Sequence, residues 1–362
     1  MSPRCDEGRP RRSLPSPCPK AFFAAFLIAF SPAAFAAEWN GINISGFLDL
    51  YVAAAKDQPA SGRNFAGLGT VATREGELAL DLAGLDLRKD PAPWGFTLVL
   101  AAGDELEAIH AAEEPSARDT FRNVYQASVN YKKENLLVEA GLFPSHIGFE
   151  GALPHTNWNY SHSWVATLSP FYQTGVKLVY TPDENTTIEL HALNGWQQIA
   201  DYNDGKSAGL KLSRRADKVT ATFNAIYGDE PTPDGNLPRS LYDLILQAEI
   251  SKAWSAALET YRGRQQRETT PDADWEATAL WVRWTARRNA LTFRAERFDD
   301  DEGGISGTPQ QLESYTATWA FQAHESAKLF LELRRDESSA DIFPADESRR
   351  QDLAIAALAL AF

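Results

Sequence analysis

From Ala37 onward the chain alternates polar and apolar side chains residue by residue, and this periodicity limits its fold more than any other feature. In Ile42–Val52 the residues Ile42, Ile44, Leu48, Leu50 and Val52 fall on one face, with Asn43, Ser45 and Asp49 on the other. The pattern recurs in Glu77–Leu82, Val219–Tyr227, Leu241–Ile250 and Leu329–Arg334. A period of two belongs to strands with two different faces; a helix would need 3.6. An all-β chain follows, with about sixteen strands; fourteen or eighteen lie within the same boundary error.

The spacers between strands are as informative. They run long then short along the whole chain: 56–74 long, 88–94 short, 103–119 long, 132–135 short, 143–170 long, 181–185 short. The second half repeats this, with 228–240, 262–274, 299–311 and 335–350 as its long members. A soluble sandwich has no reason to make every second connection long. A transmembrane barrel does, because its periplasmic turns are short and its external loops long. In lipid every backbone amide must be paired internally, so a sheet spans only when closed. The expected fold is therefore a transmembrane antiparallel up-and-down β-barrel.

On this pattern Leu78, Leu80, Leu82, Val129, Leu190, Leu244, Leu280, Phe293 and Leu331 face lipid, with Tyr125, Tyr131, Tyr227, Tyr242, Trp284 and Tyr315 as girdle aromatics. Composition hides all this. The 362 residues are 44% apolar and 23% charged, averages that a lipid face interleaved with a wet face shares with a soluble domain. The acidic balance, −14 at pH 7, argues against a nucleic-acid partner.

The N-terminus reads as an export signal over 1–36. A basic stretch ending at Lys20 precedes the apolar run Ala21–Phe30, and Ala34-Phe35-Ala36 offers small residues for cleavage. Residues 37–362 would then form a single barrel domain with 30 basic and 47 acidic side chains, a formal charge of −17. Cys5 and Cys18 leave with the leader, so no thiol chemistry or disulfide framework remains.

Within 141–196 the run Gly141-Leu142-Phe143-Pro144-Ser145-His146-Ile147-Gly148-Phe149-Glu150 is followed by Asn157-Trp158-Asn159-Tyr160-Ser161-His162-Ser163, Pro170–Lys177 and Asn194-Gly195-Trp196. These motifs, with Ser45-Gly46-Phe47-Leu48-Asp49 in the first strand, resemble the OmpL-like β-barrel porin-2 family of Gram-negative outer membranes. His162 and Gln173 stand where that family pattern would have Arg and His. The resemblance implies a channel and names no substrate.

The third external loop, 143–170, is the longest. In general porins of this strand count that loop folds inward, so His146, Glu150, His155, Asn157 and Asn159 are expected to line a constriction; the alternative is a plug or lid packed by Phe143, Phe149, Trp158, Tyr160 and Trp164. The alternation also turns Asp49, Glu189 and eight further acids into the lumen, against Arg122, Lys177, Lys211, Arg283, Arg294, Lys328 and Arg334. Ten acids against seven bases predicts a weakly cation-preferring pore. The histidine spacing matches no compact metal-ligand motif, and no cofactor motif is present. No G-x-S-x-G context suggests a barrel hydrolase. The terminal Phe362 would serve as the signal read by the barrel-assembly machinery.

The function expected is passive diffusion of small hydrophilic solutes through an outer-membrane porin, in contact with lipid and lipopolysaccharide and by analogy a homotrimer. The alternatives are a structural or adhesive barrel without a channel, and a secreted carbohydrate-binding β-protein.

Overall fold

The computed structural model describes residues 37–362 apart from 60, 66–68 and 344–347. The leader assigned to 1–36 lies outside the described residues. A short strand, β1 (Ala37–Trp39), pairs with the start of β2 (Ile42–Ala55) through Asn40-Gly41. Both turn residues have positive φ, 51° and 75°, the backbone that a two-residue hairpin turn requires.

From β2 onward sixteen strands run antiparallel, each hydrogen-bonded to the next in sequence. They are β2, β3 (Leu78–Lys89), β4 (Trp94–Ala102), β5 (Val124–Lys133), β6 (Leu136–Pro144), β7 (Tyr172–Asp183), β8 (Thr186–Leu193) and β9 (Ser207–Ala216). The second half comprises β10 (Val219–Thr232), β11 (Gly235–Glu249), β12 (Trp254–Gln265), β13 (Ala273–Ala286), β14 (Asn289–Asp300), β15 (Gln310–His324), β16 (Ala327–Ser338) and β17 (Arg350–Ala361). Pairing of β17 with β2, from Leu353↔Ala55 to Ala361↔Phe47, closes the ring. No sheet edge is left along the spanning region, as lipid demands.

The long and short connections alternate as the spacing predicts, with one exception. Residues 228–240 do not form an external loop. Thr232 pairs with Gly235, so β10 and β11 continue as a hairpin joined only by Pro233-Asp234. The Pro-Asp-Gly sequence is a turn in its own right, and the strands run through to meet it. The second external loop, by contrast, contains two short helices, α1 (Asp104–Ile109) and α2 (Pro115–Phe121). The latter starts with Pro115 behind Glu114, whose carboxylate accepts the Ser116 N–H at 2.8 Å. The strand expected at 120–131 therefore begins only at Val124.

Leu78, Leu80, Val129, Leu190, Leu244, Leu280, Phe293 and Leu331 are exposed on the outer wall, where lipid would cover them. Two members of that face are corrected. Leu82 is buried, because Asp49 pairs with Leu82 and Leu50 with Leu80; the extra residue, Asp81, is a bulge that turns both side chains inward. Tyr125 is the extra residue of a second bulge, between Val99 and Leu100 of β4, and packs with Phe121 and Val124 against a buried cluster containing Leu106 and Ile109. One inserted residue reverses the alternation beyond it, which the pattern alone cannot locate.

Phe362 fastens the seam. Its N–H donates to the Gly46 carbonyl at 2.9 Å and its own carbonyl accepts the Gly46 N–H at 2.7 Å. Its ring lies over the bare Cα: a Cβ on Gly46 would sit 2.9 Å from a ring carbon and 3.1 Å from the Gly84 carbonyl oxygen. Gly46→Val is therefore expected to overpack the seam and lower stability by about 1–3 kcal/mol. The readout is the urea midpoint at which the compact, heat-modifiable band is lost from unheated gels; an unchanged midpoint would refute the clasp.

Candidate functional site: the third loop in the lumen

The connection from β6 to β7, residues 145–171, folds into the barrel and is tied to the wall across most of its circumference. The ties begin at once. His146 reaches Gln173 Oε1 (2.9 Å) through Nδ1 and the Ala225 carbonyl (3.0 Å) through Nε2, and its ring stacks on His191 with centroids 4.1 Å apart. Gly209 makes room for that ring, since a Cβ there would lie 2.6 Å from it.

Beyond His146 the loop docks by its backbone. Gly148 N–H donates to Asp243 on β11 (3.2 Å), and Phe149 N–H to Glu259 on β12 (3.1 Å). Tyr160 and Ser161 both donate to Glu332 on β16, at 2.8 and 3.1 Å. Trp164 N–H donates to Glu296 on β14, and its indole Nε1–H to Asp336 on β16 at 2.8 Å. All five carboxylates are buried. A loop in a barrel has no strand partners for its N–H groups, and a buried N–H left without an acceptor costs about 1–3 kcal/mol.

Glu150 is the centre of the arrangement. Its carboxylate accepts from Arg294 (2.9 Å), Trp281 Nε1 (3.2 Å) and Ser163 N–H (2.7 Å), joining the start and the end of the loop to the wall. Burial alone would raise its pKa; Arg294, His162 and the Ser163 N–H outweigh burial and hold it below the ordinary value. Arg294 also donates to the Ser161 carbonyl at 2.7 Å, and Arg334 to Ser161 Oγ at 3.1 Å. Ser163 in turn caps the short helix α3 (Trp164–Thr167), its Oγ accepting from Ala166 N–H at 3.0 Å.

The remaining expected residues divide. Asn157 clasps Gly151 by two bonds, of 3.0 and 2.7 Å, and shapes the loop from within. Asn159 donates to Thr318 at 2.6 Å, and His155 Nδ1 meets Asp49 Oδ2 at 3.2 Å. Lys177 pairs with Glu139 at 2.9 Å, and Lys211 lies 3.9 Å from Glu189, which is also bound to His191. Arg283 stands in the lumen with its guanidinium 5.5 Å from the Trp158 ring centroid. Arg122 is a correction: it is the exposed residue ending α2 and lies on no strand, because the Pro115 helix occupies the start of the strand expected there.

The lumen-acid count needs a second correction. Asp49, Asp81, Asp243, Glu259, Glu296 and Glu332 do point inward, but all are buried beneath the loops. Asp336, Trp281 and Thr318 were not anticipated as loop partners. The alternation of β16 continues past Arg334, so Asp336 was within reach of the same pattern.

Comparison with known proteins follows this geometry. A sequence profile of the family described as putative beta-barrel porin-2, OmpL-like, matches residues 41–362. No curated protein sequence matches. Among solved structures, the anion-selective porin from Comamonas acidovorans aligns at TM-score 0.62 and 10% identity, over 89% of this chain and 99% of that one. The outer-membrane channel DcaP of Acinetobacter baumannii aligns at TM-score 0.60 and 9% identity, over 89% and 97%. OmpT of Vibrio cholerae, in a trimer form, aligns at TM-score 0.56 and 10% identity, over 89% and 99%. At these identities the likeness is one of fold.

His162 makes the loop sensitive to acid. Its Nδ1 is 2.7 Å from the Thr70 hydroxyl and its Nε2 3.0 Å from the Gly151 carbonyl, so a neutral ring accepts from the first and donates to the second. Burial lowers its pKa to about 4, with Glu150 opposing and Arg294 and Arg334 adding to the shift. In a released loop an ordinary histidine titrates near 6.5. Its contribution to docking is complete above that value and disappears as pH falls towards 4, with the docking constant dropping up to about tenfold per pH unit. Loop-opening noise in single-channel records should rise across that window and do so less steeply in His162→Gln; equal slopes would sink the assignment.

Proposed function

Since the chain belongs to the OmpL-like β-barrel porin-2 family, we propose that it is an outer-membrane porin for passive diffusion of small hydrophilic solutes, narrowed by its third loop. The observation that carries this reading is the lumen-spanning loop, held by Asp243, Glu259, Glu296 and Glu332 from four different strands. A loop fastened on so many sides sets a fixed aperture, and wall side chains outside its footprint would line the path. His146, Glu150, Asn157 and Asn159 act in this reading as the frame of the constriction, and His155 as its tip.

The ion preference is read from the charges that water and solute can reach. The cation preference expected from the whole tally loses its support once seven of the ten acids are buried, Glu139 in its pair with Lys177 and the other six under the loops. A barrel sealed by the same loop is the second reading, favoured by the complete burial of Tyr160 and Trp164 within it.

The surroundings of the barrel are read in the same way. Paired charges crown the outer wall at the loop ends of the strands, including Arg262 with Asp274 (3.1 Å), Arg297 with Asp299 (2.8 Å) and Arg335 with Asp352 (2.6 Å). Such a belt above the lipid face suits lipopolysaccharide head groups. The closing role of Phe362 fits recognition of the last strand by the assembly machinery. An export leader over 1–36 together with an outer-membrane barrel suits a Gram-negative cell, and the trimer form of OmpT supports a homotrimer.

Deleting 150–163 separates the readings. If the loop constricts an open pore, planar-bilayer conductance should rise about twofold or more from a measurable starting value. A sealed barrel would conduct only after the deletion, and unchanged conductance would refute both roles for the loop.

A further inference from the structure

Removing the buried carboxylates from the lumen leaves a surplus of cations at one place. Lys177 and Lys211 have their carboxylates, Glu139 and Glu189. Arg283, near the turn end of β13, and Lys328, near the turn end of β16, have none within ion-pair distance among the described residues. Arg283 Nε is buried without a hydrogen-bond partner. Lys328 donates to the His155 carbonyl at 2.7 Å, and the nearby Asp49 carboxylate is turned to the His155 ring.

Both cations flank the tip of the third loop, one beside Trp158 and the other beside His155, three residues apart in the chain. Two cations at one loop tip, neither in an ion pair, favour an anion beside them. A guanidinium fork beside an ammonium suits the paired oxygens of a carboxylate or a phosphate.

We propose that Arg283 and Lys328 form an anion subsite on the periplasmic side of the loop, which takes small carboxylate- or phosphate-bearing solutes and gives the channel an anion preference. The proposal rests on the reading of the barrel as a conducting channel, and the test is arranged to separate the two. The purified mature protein and an Arg283→Gln, Lys328→Gln double variant are compared in planar bilayers across a tenfold KCl gradient, after the compact band on unheated gels has shown both to be folded.

The wild type should reverse on the chloride side, and the variant's chloride-to-potassium permeability ratio should fall by about twofold or more. Millimolar succinate and inorganic phosphate, added separately, should each reduce the wild-type chloride current and leave the variant's current unaffected. Block by only one of them assigns the subsite to that anion. A wild type that reverses on the potassium side, or a variant with unchanged selectivity and block, overturns the subsite while the channel stands. Absence of conductance from the folded wild type overturns the channel reading and the subsite together.

Discussion

A backbone N–H without a partner is the constraint on which this molecule depends, in the wall and in the lumen alike. In the wall the sheet meets it by closing: β17 pairs with β2, and the terminal Phe362 adds two backbone bonds to Gly46. In the lumen the third loop has no neighbouring strand to bond, so its N–H groups turn to carboxylates that the wall strands present. Water could satisfy these groups in an open vestibule. Once Phe149 of the loop packs between its own Trp158 and Trp281 of the wall, water is excluded, and the wall carboxylates become the partners available.

This requirement explains why wall acids that look like pore charges do something else. Asp243, Glu259, Glu296 and Glu332 stand on four strands, and each meets the loop at a different point of its path. The two buried arginines serve the complementary need, binding loop carbonyls at Ser161 and His162. Arg294 also neutralises Glu150 inside the same network. A loop whose donors and acceptors are both met by charged wall groups is held in one place, at the expense of charges that would otherwise face the solute path.

The barrel was legible in the sequence because lipid imposes a simple rule on every strand, and the rule leaves a period of two. All sixteen strands were found, and the alternation of long and short connections oriented them. The failures have a common origin. Leu82 and Tyr125 were assigned outward because a single bulge residue reverses a face without altering composition or hydropathy. Arg122 was assigned to a strand that a Pro-led helix had displaced. Residues 228–240 are read as a long spacer, yet Pro231 sits within a paired strand and only Pro233-Asp234 make the turn.

The lumen was less legible for a deeper reason. Periodicity reports which way a side chain points, whereas selectivity depends on whether that side chain still meets water. Glu139 and Glu332 carry the same inward phase, but Glu139 pairs with Lys177 on the neighbouring strand and Glu332 binds two N–H groups of a loop more than 170 residues away in sequence. Local sequence around Glu332 contains nothing of that second partnership. The charge a pore offers to an ion is therefore a tertiary property, equal to the inward charges less those the loops have claimed. In this barrel the claimed charges are mostly acidic, and Arg283 and Lys328 are the cations left beneath the loop.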